Sequence, residues 1–121
     1  MAAPPPRVLV VDDEPQIRRF LRASLTAHGY AISEAASGAE AIARLDRQTF
    51  DVLVTDLALP GISGEEVAAH ALRRRPAIRV VFATGYAAGR DSRARFGAAA
   101  VLQKPYNEQT IAAALRAARS A

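Results

Sequence analysis

Three short apolar runs in this chain each stop on a charged residue. Val8-Leu9-Val10-Val11 runs into Asp12-Asp13, Val52-Leu53-Val54-Thr55 into Asp56, and Ala99-Ala100-Val101-Leu102-Gln103 into Lys104-Pro105. Runs this short, rich in Val and Leu and lacking polar alternation, predict strands buried on both faces, as in a parallel sheet covered by helices. In such a sheet the carboxyl ends of the strands share one edge, and ligands bind there where the strand order reverses. Charges far apart in the sequence are therefore expected to converge.

The intervening segments read as helices alternating with further strands. Strand one is predicted over Arg7 to Val11, and Pro15 suits the first position of a helix, where a missing N–H costs nothing. That helix places Ile17, Phe20, Leu21 and Leu25 on one face and stops at His28-Gly29, with Gly29 suited to the left-handed cap. Strand two is Tyr30 to Glu34. Helices two and three open on the capping boxes Ser37-Gly38-Ala39-Glu40 and Ser63-Gly64-Glu65-Glu66. Strand three is Asp51 to Thr55, strand four Ile78 to Ala83 and strand five Ala99 to Gln103. A short fourth helix lies within Arg90 to Phe96, a polar stretch bracketed by Gly85, Gly89 and Gly97, and Asn107 caps a last helix that buries Ile111 and Leu115. Five strands alternating with five helices predict an α/β, doubly wound parallel sheet with right-handed crossovers.

Composition narrows the function classes. A chain of 121 residues, 50% apolar and 23% charged, is sized for one folded domain and excludes general disorder. The division expected is a flexible Pro-rich tail over residues 1–6 and one domain over 7–121. No run approaches the roughly 20 apolar residues of a membrane span, and Met1 to Pro6 lacks a signal-peptide core, so the expectation is a cytoplasmic protein without membrane contact. The absence of cysteine excludes disulfides and thiolate metal sites. The net charge of +4 comes from 15 arginines and one lysine. They are spread along the chain except at Arg73-Arg74-Arg75, which suits the negative end of a helix dipole better than a nucleic-acid stripe. No nucleic-acid partner is expected.

Asp12, Asp13 and Asp56 would put three carboxylates at the edge shared by strands one and three. Three crowded anions need a shared proton or a hard cation, and Mg2+ suits one or two carboxylates plus waters and phosphate oxygens. Asp13 and Asp56 could then bind directly and Asp12 through water. Lys104 supplies a point charge that can pair with Asp56 and later with a phosphoryl oxygen, and Thr84 supplies a hydroxyl for the same oxygen. Singly, an acidic pair after a strand is as often a helix cap, and Lys-Pro or Thr-Gly a turn. Four strand ends each offering the residue type a phosphoryl site needs favour the site. His28 and His70 fall on helices away from this edge and read as ordinary helix residues.

The set Asp12-Asp13-Glu14, Asp56-Leu57-Ala58-Leu59-Pro60-Gly61-Ile62-Ser63-Gly64, Thr84-Gly85 and Lys104-Pro105 resembles the receiver domain of bacterial two-component response regulators, over residues 7 to about 119. The resemblance implies a flavodoxin-like, CheY-like sheet of order 2-1-3-4-5. It also implies a phosphoryl acceptor at Asp56, Mg2+ held by Asp12, Asp13, Asp56 and the Ala58 backbone carbonyl, readout by Thr84 and Lys104, and a cis Lys104-Pro105 peptide. The phosphoryl donor implied is a phosphohistidine of a sensor histidine kinase or a histidine phosphotransfer protein. The output implied is a protein target contacting the face of helix four, strand five and helix five, where Phe96 and Tyr106 are candidates, from a monomer or weak dimer.

Two features depart from the family pattern. The aromatic usual three residues before the lysine is Val101 here, and Phe82-Ala83-Thr84-Gly85-Tyr86 is similar to a subgroup of single-domain receivers, which makes Tyr86 the candidate for the moving ring. Ala58 cannot orient an attacking water and Tyr86 can shield the phosphoryl group, so slow self-hydrolysis is expected. The stretch Val101 to Tyr106 is also similar to receivers fused to hybrid sensor kinases. Because nothing follows the last helix, no attached output module is expected. The competing readings are a receiver segment of a hybrid kinase, a small Mg2+-dependent phosphohydrolase, and a receiver that binds partners without phosphate. The hydrolase reading lacks a general acid and a substrate pocket in the sequence, and the complete acidic set disfavours the last.

Overall fold

A computed structural model of the protein describes residues 4–85 and 100–120. Five parallel strands, β1 (Arg7–Val11), β2 (Ala31–Ala35), β3 (Val52–Asp56), β4 (Arg79–Thr84) and β5 (Ala100–Gln103), form one sheet in the order β2-β1-β3-β4-β5. The described helices are α1 (Pro15–Ala27), α2 (Gly38–Arg47), α3 (Gly64–Arg74) and α4 (Glu108–Ser120). The helix expected within Arg90 to Phe96, together with Tyr86, Phe96 and Ala99, lies outside the described residues. Strands two, three and four each begin one residue later than the sequence suggested, so that Asp56 and Thr84 are the last residues of their strands and not the first of the following loops.

The sheet sorts its side chains by the two-residue period of a strand. Val8, Val10, Val52, Val54, Val81 and Ala83 face α1 and α4 and pack with Leu21, Leu25, Ile111 and Leu115. Leu9, Val11, Leu53 and Phe82 face α2 and α3 and pack with Ala41, Leu45, Val67 and Ala71. Each fully buried Leu or Val contributes about 1.5–3 kcal/mol. Burial on both faces holds for β1 and β3. The third run differs: β5 is an edge strand, Val101 is only partly buried and Gln103 is exposed. Phe20 also departs from the apolar face of α1, being 41% exposed, with its ring 6.3 Å from that of Tyr106.

Helix starts follow their local chemistry. Ser37 and Ser63 accept from the backbone N–H of Glu40 and Glu66 at 3.1 and 3.2 Å. Asn107 and Thr110 cap α4 reciprocally, each side chain accepting from the other's backbone N–H at 2.9–3.0 Å. Pro15 opens α1, and Gly29 takes φ +90° just past its end. The Arg73-Arg74-Arg75 triplet ends α3, where Arg74 lies 3.2 Å from Asp46 and Arg75 3.4 Å from Asp51.

Candidate functional site

Register brings the charged strand ends together. Val11 pairs with Thr55 and Asp56 with Ala83, so Asp12 and Asp56 leave neighbouring strands at the same level, and Thr84 ends β4 beside Gln103 of β5. The Lys104 N–H donates to the Thr84 carbonyl at 2.9 Å, which extends the ladder to the lysine, and the Lys104-Pro105 peptide is cis. Carboxylate oxygens of Asp12, Asp13 and Asp56 all lie within 4.8 Å of one another. Asp12, Asp56 and Thr84 are buried at 1%, 6% and 1% exposure, whereas Asp13 faces solvent.

Among the described residues Lys104 answers two of these acids. Lys104 Nζ donates to Asp56 Oδ2 at 2.8 Å and to Asp12 Oδ2 at 3.3 Å. The other oxygens are held by backbone: the Ala58 N–H donates to Asp56 Oδ1 at 3.1 Å and the Glu14 N–H to Asp12 Oδ1 at 2.9 Å. Burial pushes the Asp12 carboxyl above its ordinary value, with Asp56 adding to the rise, against the Glu14 amide and Lys104, which pull it down. Burial opposes the charge on Lys104, but its bond to Asp56, the charges of Asp12 and Asp56 and its bond to Asp12 outweigh that, and the ammonium is held above the ordinary lysine range. Lys104 is thus a fixed positive charge at neutral pH. Three hard carboxylate donors clustered together, two of them on buried residues, fit a divalent cation such as Mg2+.

Close packing beneath Asp56 depends on glycine. A Cβ on Gly64 would collide with the Asp56 carbonyl oxygen, and one on Gly38 would sit 2.6 Å from the Ile62 carbonyl. Only a bare Cα lets the start of α3 rest on the end of β3, with the Gly64 N–H donating to Leu57 O at 3.2 Å. The sequence marks these glycines only as neighbours of helix caps. Their packing role is a tertiary fact, though two Ser-Gly caps in one chain were a visible signal. Arg18, which donates to the Asp12 carbonyl, and Glu34, which pairs with Arg18, had no sequence signal.

Other candidates lie elsewhere. His28 contacts the Ser24 carbonyl within α1, and His70 Nε2 lies 2.8 Å from Asp46 at the opposite end of the sheet. Both are remote from the acid cluster, as the sequence suggested. Tyr106, two residues after Lys104, packs on the α1/α4 core, and its buried hydroxyl has no hydrogen-bond partner among the described residues. Burial, opposed by Lys104 and reinforced by Asp12, Asp56 and Glu14, pushes its phenol up to about 12.

The fold is an open, doubly wound parallel sheet that carries three acids, a hydroxyl and a lysine at its carboxyl edge, where such sheets bind ligands. The chain belongs to the response regulator receiver domain family of two-component systems, which it matches over residues 8–116. It is 39% identical over 113 residues to the transcriptional regulatory protein TcrA of Mycobacterium tuberculosis, covering 92% of this chain and 45% of TcrA. It therefore spans about half the length of that relative. Over 104 residues it is 36% identical to the response regulator receiver protein CpdR of Brucella abortus, covering 84% of this chain and 86% of CpdR. Among solved structures, the response regulator TrrA of Thermotoga maritima, in complex with Mg2+ and BeF, matches with TM-score 0.83 at 32% identity over 92% of this chain and 96% of TrrA. Among the described residues no helix is long and apolar enough to cross a membrane.

Proposed function

We propose that residues 7–121 form a phosphorelay receiver in which Asp56 accepts a phosphoryl group from a phosphohistidine of a sensor histidine kinase or histidine phosphotransfer protein. The observation that carries this reading is the 2.8 Å pairing of a buried Asp56 with Lys104 beside Asp12 and Asp13. An Asp56 carboxylate oxygen attacks phosphorus, an O–P bond forms as the N–P bond of the donor breaks, and the imidazole leaves with the electron pair. The Ala58 N–H and Lys104 fix the carboxylate so that little reorganisation precedes attack. Mg2+, held by Asp12, Asp13, Asp56 and the Ala58 carbonyl, would neutralise charge on the acids and on the transferred oxygens. TrrA, crystallised with Mg2+ and BeF, supports that choice of ion.

Once modified, Asp56 presents new acceptor oxygens to Lys104 and to the Thr84 hydroxyl. Both sit at the ends of β4 and β5, so the modification biases the position of those strand ends and the contacts made by the surface beyond them. The output is binding of a protein target by a cytoplasmic monomer or weak dimer. The decisive experiment is intact mass after incubation with a small phosphodonor and Mg2+. One added phosphate on the wild type and none on Asp56→Asn is expected. Multiple turnovers of donor without stable label would favour the hydrolase, and no label at all a receiver that works without phosphate.

A further inference from the structure

A side chain on α1 reaches the backbone that carries the acid cluster. Arg18 Nη1 donates to the Asp12 carbonyl at 2.7 Å, while its Nε lies 3.3 Å from Glu34 Oε1. Glu34 is on β2 opposite Val10, and its second oxygen pairs with Arg22 Nη1 at 2.8 Å, one helical turn beyond Arg18. The next β2 residue, Ala35, accepts from the Asp12 N–H at 3.2 Å. Asp12, Arg18, Glu34 and Ala35 thus close a ring in which both backbone polar groups of Asp12 are tied to β2, one directly and one through the guanidinium.

We infer that Arg18, held by Glu34, is a positioning residue for the metal-binding acids: it fixes the β1–α1 turn so that Asp12 and Asp13 face Asp56 before a cation arrives. Three features separate this from an ordinary surface pair, which contributes little. The Arg18 side chain is 17% exposed, its target belongs to a residue 1% exposed, and the planar guanidinium spans two acceptors that an ammonium cannot reach in the same geometry. The turn also needs an external brace. Three like charges drive it open, and the carboxylate of Asp12 is oriented through its own backbone by the Glu14 N–H. Because Arg18 binds the carbonyl, it leaves the carboxylates free for a cation while opposing their separation.

This inference rests on the proposed Mg2+ site, so its test includes a measurement made without metal. Hydrogen exchange of the Asp13 and Glu14 amides in the metal-free protein should quicken about tenfold in Arg18→Ala, and Mg2+ affinity by titration calorimetry should fall five- to tenfold, with the circular dichroism spectrum unchanged. Arg18→Lys should recover little, because it restores charge but not the span. Glu34→Gln should show two- to threefold effects, and Arg18→Ala/Glu34→Gln should be no worse than Arg18→Ala alone, as expected when one residue acts through the other. Exchange and affinity in Arg18→Ala both within twofold of wild type, or independent addition in the double variant, would overturn the inference. Should Arg18→Ala fail to fold, Arg18→Lys and Glu34→Gln carry the same comparison. If wild type binds no Mg2+, the metal reading fails by itself, and the metal-free exchange still decides whether Arg18 braces the turn.

Discussion

The two ends of the sheet handle charge in opposite ways. At the amino end, Asp46 meets His70 at 2.8 Å and Arg74 at 3.2 Å, and Asp51 meets Arg75 at 3.4 Å and the Arg7 N–H at 2.8 Å. Both acids are 46% exposed and have basic side chains beside them. At the carboxyl end buried Asp12 and Asp56 share Lys104, exposed Asp13 lies beside them, and oxygens of all three fall within 4.8 Å of one another. Exposed opposite charges in water are nearly neutral in their effect on stability. Like charges crowded behind an apolar wall are unfavourable until a cation or a proton arrives. Among the described residues that crowding is found at the carboxyl end, where the proposed phosphoryl transfer would need a nucleophile, a cation and a fixed ammonium.

The sharpest way to break this contrast is to remove one cation from each end. Lys104→Ala leaves Asp12 and Asp56 facing each other with no positive charge between them. Because the lysine side chain is 23% exposed, the loss is moderated by solvent and should be about 1–3 kcal/mol in urea unfolding. Millimolar Mg2+ should restore part of it. Arg75→Ala at the amino end should cost about 0.5 kcal/mol or less and respond to no metal. Equal losses in the two variants would show that the acid cluster is not strained and that the contrast is one of geometry alone.

The next largest effect reverses sign. Burial, with help from Asp56, raises the Asp12 carboxyl above its usual value despite the Glu14 amide and Lys104. A group whose folded value lies above its unfolded one contributes stability at low pH that is lost as pH rises through the folded value, so above that window the burial of Asp12 weighs against folding. Asp12→Asn keeps an oxygen for the Glu14 N–H, leaves Lys104 its 2.8 Å bond to Asp56, and removes one of three crowded charges. It should stabilise the metal-free protein by about 1 kcal/mol, in thermal or urea unfolding, while weakening Mg2+ binding. A less stable Asp12→Asn would mean that its pairing with Lys104 outweighs the desolvation.

What could be read from the sequence follows from where each interaction is encoded. The apolar runs, the capping serines and Asn107 act through neighbours within four positions, so strands, helix starts and the convergence of Asp12, Asp13, Asp56, Thr84 and Lys104 were legible once a parallel sheet was inferred. The sheet order came from family resemblance, because alternating strands and helices admit several. Strand ends moved by one residue because Asp56 and Thr84, polar residues that loops favour, are kept in the ladder by pairing with Ala83 and Gln103. Phe20 was misleading, since an apolar residue at helical spacing can sit at the margin of a face and stay exposed. Gly64 beneath Asp56 and Arg18 on the Asp12 carbonyl depend on contacts between elements, and no local pattern announces them.

The amino end offers the smallest effect and a control on mechanism. The hydrogen bond from His70 holds the Asp46 carboxyl below its ordinary value, slight burial opposes this, and the charges of His70 and Arg74 add to the lowering. A depressed carboxyl contributes stability that is present above its unfolded value near 3.8 and is lost as pH falls through the folded value. His70→Gln should therefore lower Tm by about 1 °C at pH 6, with the difference fading below the unfolded value and in 1 M salt, which screens exposed pairs. The Lys104→Ala loss arises among buried groups and should survive the same salt. If salt erased both, the two ends would differ in degree of exposure only; if it erased neither, the His70–Asp46 contact would be acting through packing and not through charge.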